Sequence, residues 1–322
     1  MKQLNEKLLG YGWPIIWRFM GTLCVPLTIL PWLIYHIIGQ RKDERIKILK
    51  DKVVLITGAS SGLGEALAHA FYSAGCKIIL AARREKELER VKESLMVSHA
   101  TGTTHPPVVL PLDVSDINNI PQYVTKALAI HGHIDILVNN AGMSYRGTVL
   151  NTNIDVDIKL MLINYFGQVA LTKALLPSMV ERSCGHIVAV SSVQGLMAIP
   201  FRSAYAASKH ALQAFCDTVR SEVADHDVQV TVVSPGYIRT SLSLNALTGD
   251  GKTYGMMDAS TAGGYSPEYV ADQVVQAVVD KKAELVLAPF APRVAIFLRC
   301  LVPRLYFWIM QKRARSEAKK TG

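Results

Sequence analysis

No two cysteines in this 322-residue chain stand at C-x-x-C spacing. The five that occur, Cys24, Cys76, Cys184, Cys216 and Cys300, are scattered and odd in number. That argues against a disulfide framework and a zinc site, and no metal is expected. Asn-x-Ser/Thr sequons are missing too, and both absences fit a domain facing a reducing compartment. Internal repeats are also lacking, which sets aside solenoids and propellers.

Acidic residues are scarce at the two ends. The formal charge is +9, yet residues 1–52 hold nine Lys/Arg against four Asp/Glu, and residues 293–322 hold eight against one. The long stretch between them is therefore slightly acidic. Basic charge confined to the termini, beside apolar sequence, suits an anionic membrane surface and not a nucleic acid.

Charge is absent altogether from residues 19–39, FMGTLCVPLTILPWLIYHIIG. Their number is close to the ~20 residues that span a bilayer as a helix. Trp13, Trp17, Trp32 and Tyr35 supply aromatic residues near the ends. A cleavable signal peptide is the rival reading, but no A-x-A-like site follows, and the next residues are the charged run RKDERIKILKDK. The expectation is a single-pass transmembrane anchor; Pro26 and Pro31 would kink it or make it re-entrant. Arg41, Lys42, Arg45, Lys47, Lys50 and Lys52 outnumber Lys2, Lys7 and Arg18, which places the main domain in the cytosol. The ending KKTG is similar to a dilysine endoplasmic-reticulum return signal, or is two lysines of a basic tail.

After this segment the chain alternates strand and helix patterns. VVLIT (Val53–Thr57) runs into GASSGLG and then a helical apolar period that stops at Gly75. Gly58, Gly62 and Gly64 stand where a backbone must turn tightly and approach a pyrophosphate at a helix start. KIILAA (Lys77–Ala82) is the second strand. Arg83 and Arg84 follow, where arginine suits a 2′-phosphate and favours NADP(H) over NAD(H); otherwise they are surface arginines opening the next helix. Further strands are expected at residues 108–112, 134–138, 185–191, 228–233 and 284–288, with helices at 85–99, 116–132, 157–179, 203–225 and 266–280. This order predicts an α/β fold: one Rossmann-type, doubly wound, seven-stranded parallel sheet, preceded by the transmembrane helix.

Residues 186–210 carry the chemistry. Ser192 ends a strand, and Tyr205 and Lys209 form an i, i+4 pair on the next helix. A phenol of pKa about 10 is a poor acid or base at neutral pH until a cation favours its phenolate, and Lys209 is placed to supply one. On its own, Y-x-x-x-K is common on any helix.

TGASSGLG (57–64), NNAG (139–142), Asn164, Ser192, YAASK (205–209) and PG-x-x-x-T (235–240) resemble the short-chain dehydrogenase/reductases in order and spacing. The resemblance covers about residues 50–288. It implies Tyr205 as general acid/base, Lys209 as the group that lowers the tyrosine pKa and holds the nicotinamide ribose, Ser192 as the carbonyl-orienting hydroxyl, and Asn164 as holder of a relay water. Gly58, Ser60, Ser61, Gly62, Leu63 and Gly64 would surround the phosphates, although Ser61 stands where some NADP(H)-using members have a basic residue. Asp113 and Val114 would meet the adenine, and Asn140, with Ala141 and Gly142, the ribose region. After Pro235 and Gly236, Ile238 and Thr240 would meet the nicotinamide carboxamide and pyrophosphate. SYRGT (144–148), PFRSAYAASKHA (200–211) and SPGYIRT (234–240) resemble membrane-bound members of the endoplasmic reticulum or peroxisome. That implies a lipid ketone, an acyl or alkyl dihydroxyacetone phosphate, or a steroid as substrate.

The expected organisation is a short N-terminal segment (1–18), the anchor (19–39), a basic linker (40–52), the NADP(H)-binding catalytic domain (53–288) and an apolar, basic tail (289–322). The tail's composition suits a membrane interface. A core-capping or dimer-forming tail, and hence a homodimer, fits the sequence nearly as well. Loop 241–265 is expected to cover the substrate with Leu242, Leu244, Leu247, Tyr254, Met256 and Met257, and Arg202 or Arg239 could meet an anionic head. The competing class is a membrane scaffold or cofactor-sensing binding protein of the same fold. Such a protein has no evident need for Asn164, Ser192, Tyr205 and Lys209 together.

Overall fold

The computed structural model describes residues 45–98 and 105–321. The expected anchor, the segment before it and the first residues of the linker lie outside that range. Among the described residues no helix is long and apolar enough to cross a membrane. The chain divides after Ile48, and the elements below belong to the unit beginning at Leu49.

Seven strands form one parallel sheet: β1 (Val53–Thr57), β2 (Lys77–Ala82), β3 (Val108–Pro111), β4 (Ile136–Asn139), β5 (Gly185–Val190), β6 (Val228–Pro235) and β7 (Glu284–Leu287). Their order is β3-β2-β1-β4-β5-β6-β7. Strands β1, β4 and β5 are buried along their whole length, as near-continuous apolar runs in a parallel sheet should be. The helices are α1 (Gly62–Ser73), α2 (Glu85–Ser98), α3 (Ile120–His131), α4 (Ile154–Met161), α5 (Gly167–Glu181), α6 (Ser203–Glu222), α7 (Ala259–Ala262), α8 (Pro267–Val279), α9 (Phe290–Leu301) and α10 (Pro303–Thr321). The order reverses between β1 and β4, which opens a crevice at their carboxyl ends.

One feature differs from the sequence expectation, and a second goes beyond it. The single helix expected over 157–179 is α4 and α5 joined by a π-helical turn, Leu162–Phe166. Gly167 explains the close packing there: a Cβ on it would stand 2.2 Å from the Val114 carbonyl oxygen. The tail after β7 is two helices, whose Tyr306 is buried with Val193, Met197 and Ala288 and whose hydroxyl donates to the Ala198 carbonyl.

At the opposite, amino-terminal end of the sheet, buried Asp135 accepts from the Val53 amide at 2.9 Å and is ringed by Lys52, His133 and Arg182. Burial pushes its carboxyl up, but the amide and the neighbouring Lys52, His133 and Arg182 outweigh it and hold the pKa below the usual value. This cluster fastens the sheet at the end away from the crevice.

Candidate active site

The crevice is lined first by the turn after β1. Gly58 and Gly62 adopt φ of +67° and +58°, the region that favours glycine. At Gly64 the constraint is space, because a Cβ would lie 2.1 Å from the Gly58 carbonyl oxygen. Leu63 is buried, and Ser61, preceding α1, makes no side-chain cap, so the first amides of that helix remain available to an anion. The turn is fixed from β4: Asn140 Nδ2 donates to the Thr57 carbonyl at 2.9 Å, and Thr57 Oγ1 accepts from the Asn140 and Ala141 amides, each at 3.0 Å.

The arginines after β2 reach this turn. Arg84 Nη2 donates to Ser60 Oγ at 2.9 Å and to Ser61 Oγ at 3.0 Å. Arg83, largely exposed, lies 3.9 Å from Asp113 Oδ2, while Asp113 Oδ1 accepts from the Ser115 amide and hydroxyl. On the other side, Pro235 ends β6 and the Gly236 amide donates to Leu287. Ile238 bridges to Tyr265, and Thr240 returns to the glycine turn, its methyl 3.2 Å from where a Gly62 Cβ would be. Residues separated by some 180 positions thus frame one cleft. Its glycine cradle and uncapped amides fit the pyrophosphate of a dinucleotide.

Deeper in, Ser192 Oγ accepts from the Gln194 amide at 3.1 Å and donates to the Pro235 carbonyl at 3.5 Å. Tyr205, in the first turn of α6, packs with Tyr145, Val156, Leu160, Ala204 and Leu247. Burial pushes its pKa up, while the neighbouring Ser192 hydroxyl and the guanidiniums of Arg146 and Arg202 pull it back; the net shift is upward. Lys209 Nζ donates to the Val190 carbonyl at 2.8 Å and lies 5.9 Å from the centroid of the Tyr205 ring. Burial lowers the Lys209 pKa to about 8.

Asn164, fully buried on the π turn, accepts from the Met143 amide at 2.7 Å and donates to the Met143 carbonyl at 2.9 Å and to Ser208 Oγ at 3.0 Å. Gly142 lies between Asn164 and Lys209: a Cβ there would be 3.3 Å from Asn164 Oδ1 and 3.7 Å from Lys209 Nζ. Ser208, inside the YAASK run, was not singled out by sequence reasoning, although it joins Asn164 to the Tyr205 carbonyl.

Two further residues were also missed. Arg146 donates from Nε and Nη2 to one oxygen of Asp258, at 2.9 and 2.5 Å, and Arg202 approaches the same oxygen at 3.7 Å. Burial, then the neighbouring Arg146, lowers the Arg202 pKa to about 10. SYRGT pointed to the locality of Arg146, but nothing local marks Asp258 as its partner. Arg239 is exposed at the rim.

A glycine cradle at a topological switch point, with a serine, a tyrosine and a lysine converging beneath it, defines a dinucleotide-dependent oxidoreductase site. A family model described as short chain dehydrogenase matches residues 52–249, and the chain belongs to that family. It is 58% identical over 317 residues to "Dehydrogenase/reductase SDR family protein 7-like" of Anopheles gambiae, covering 98% of this chain and 99% of that one. It is 50% identical over 304 residues to "Dehydrogenase/reductase SDR family member 7B" of Rattus norvegicus, covering 92% and 94%. Among solved structures, an alcohol dehydrogenase from the archaeon Thermococcus sibiricus, complexed with 5-hydroxy-NADP, is similar at a TM-score of 0.63 and 27% identity, covering 74% of this chain and 96% of that one.

Proposed function

We propose that this oxidoreductase is a membrane-anchored, NADP(H)-dependent reductase of a hydrophobic ketone, working through Tyr205 as general acid. The observation that carries the reading is the burial together of Ser192, Tyr205 and Lys209 at the carboxyl end of β5, with Lys209 Nζ 5.9 Å from the centroid of the Tyr205 ring. NADP(H), when bound, supplies the hydride. Arg83 and Arg84 would hold its 2′-phosphate, and Gly58, Ser60, Gly62 and Gly64 its pyrophosphate. The Ser192 hydroxyl orients the substrate oxygen. Tyr205, kept protonated by its raised pKa, gives that oxygen its proton as negative charge develops. Lys209 would hold the nicotinamide ribose, and the proton lost by the phenol would return from solvent through Lys209 and a water held at Asn164.

The substrate class follows from the covering loop, where Leu242, Met256 and Met257 are exposed and Leu247 packs against Tyr205. An apolar rim near buried cationic Arg146 and Arg202 suits a lipid ketone, including an acyl or alkyl dihydroxyacetone phosphate, better than a small polar one. The sequence of residues 19–39 supports a single-pass anchor in the endoplasmic reticulum or peroxisome, with this domain in the cytosol.

The test is NADPH oxidation by purified full-length protein against lipid ketones, steroids and quinones, beside Tyr205→Phe. The variant should lose turnover while retaining NADPH binding. Undiminished turnover in Tyr205→Phe would overturn the proposal.

A further inference from the structure

The C-terminal helices carry an exposed face that the catalytic reading leaves unused. Tyr306 is inside, packed under the loop that follows Ser192, and this fixes which side of the pair faces outward. On that side Phe290, Phe297 and Leu301 follow one another along α9, and Leu305 and Trp308 along α10; all are exposed, as are Val302 and Phe307 at the junction. So much exposed aromatic and aliphatic surface on one element marks a contact surface, since scattered single side chains are the norm elsewhere.

The charge around this face identifies what it meets. Residues 285–316 contain no Asp or Glu. Arg299, Arg304, Lys312 and Arg315 stand among the apolar side chains and are exposed. Two of them lie over rings of the same face: the Arg299 guanidinium is 5.2 Å from the centroid of Phe307, and Lys312 Nζ is 3.7 Å from that of Trp308. Aromatics at one level with cationic heads beside them match the boundary between acyl chains and anionic headgroups. A second copy of the chain fits badly, because a two-fold interface here would press one basic cluster against its own image.

We propose that the outward face of α9 and α10 seats on the surface of an anionic lipid bilayer, as a membrane contact separate from the N-terminal apolar run. Because Tyr306 joins the other side of α10 to the segment after Ser192, this contact would hold the crevice close to the lipid phase.

The test uses the full chain with Cys24→Ser and Cys184→Ser, leaving exposed Cys300 to carry an environment-sensitive fluorophore while Cys76 and Cys216 stay buried. The protein is reconstituted into vesicles of phosphatidylcholine alone or phosphatidylcholine mixed with phosphatidylserine. In the mixed vesicles the label should shift to the blue and lose quenching by aqueous iodide. Both changes should revert in high salt and in Phe307→Glu/Trp308→Glu, with circular dichroism checking the fold of the variant. Identical emission and full quenching in the two vesicle types would overturn the proposal on the parent protein alone. Efficient Cys300-to-Cys300 cross-linking between copies would replace it with a dimer interface.

Discussion

Arg146 and Asp258 stand 112 residues apart in the chain, yet a single carboxylate oxygen of Asp258 accepts two hydrogen bonds from Arg146 and lies 3.7 Å from Arg202. The contact ties the loop after β6 to the segment after β4.

Removing that carboxylate leaves two guanidiniums close together and largely buried. Asp258→Ala should destabilise the protein by about 3 kcal/mol, the cost of leaving buried charge uncompensated. Thermal denaturation should show a drop of several degrees, and KM should rise more than kcat falls. Arg146→Met in the Asp258→Ala background should recover part of the loss.

The cofactor cleft gives a second expectation. Arg83→Asp should weaken NADPH binding about tenfold to a hundredfold, the loss of charge-assisted hydrogen bonds, and leave NADH binding nearly unchanged. Fluorescence titration of both cofactors measures this. Equal affinities of the variant and the parent protein for NADPH would favour the NAD(H) reading.

Glycine positions can be separated by space. Gly64→Ala places a methyl against the Gly58 carbonyl at 2.1 Å and should cost about 2 kcal/mol or more, with loss of cofactor binding. Gly263→Ala meets only the Ala259 carbonyl at 3.5 Å and should stay within about 0.5 kcal/mol. Chemical denaturation of the two variants distinguishes these outcomes.

His186 provides a pH signature. Burial lowers its pKa from 6.5 to about 4, and its Nε2 lies 2.8 Å from Thr231 Oγ1. A depressed pKa means the unfolded chain takes up the proton first, so stability should be full above about pH 6.5 and decline as the pH falls toward 4. The decline amounts to roughly 3 kcal/mol. Unfolding midpoints measured across that range should flatten in His186→Gln.

Much of the sheet was legible because parallel strands buried on both faces are written as short β-branched runs between glycine and helix signals. The placing of β1, β2, β5 and β6 rests on that pattern. Other features were hidden for physical reasons. The π turn at Asn164 has no composition of its own, since one extra residue in a turn leaves the apolar period almost unchanged. The pairing of Arg146 with Asp258 depends on loop closure over a long separation, which periodicity does not encode. The tail showed its apolar and basic character, but which face Tyr306 would bury required the neighbouring loop.

The π turn has a consequence of phase. One surplus residue in a helix turns everything beyond it by about 100° relative to an uninterrupted helix. The whole face that α5 offers to the sheet is therefore indexed to the residue count between α4 and Gly167. Deleting one residue in 162–166 to restore a regular helix would swing Asn164 off the Met143 backbone and Ser208 or rotate the apolar side of α5 out of the core. The Asn164 end of the site and the packing of a helix behind it share one register, and neither can be adjusted alone.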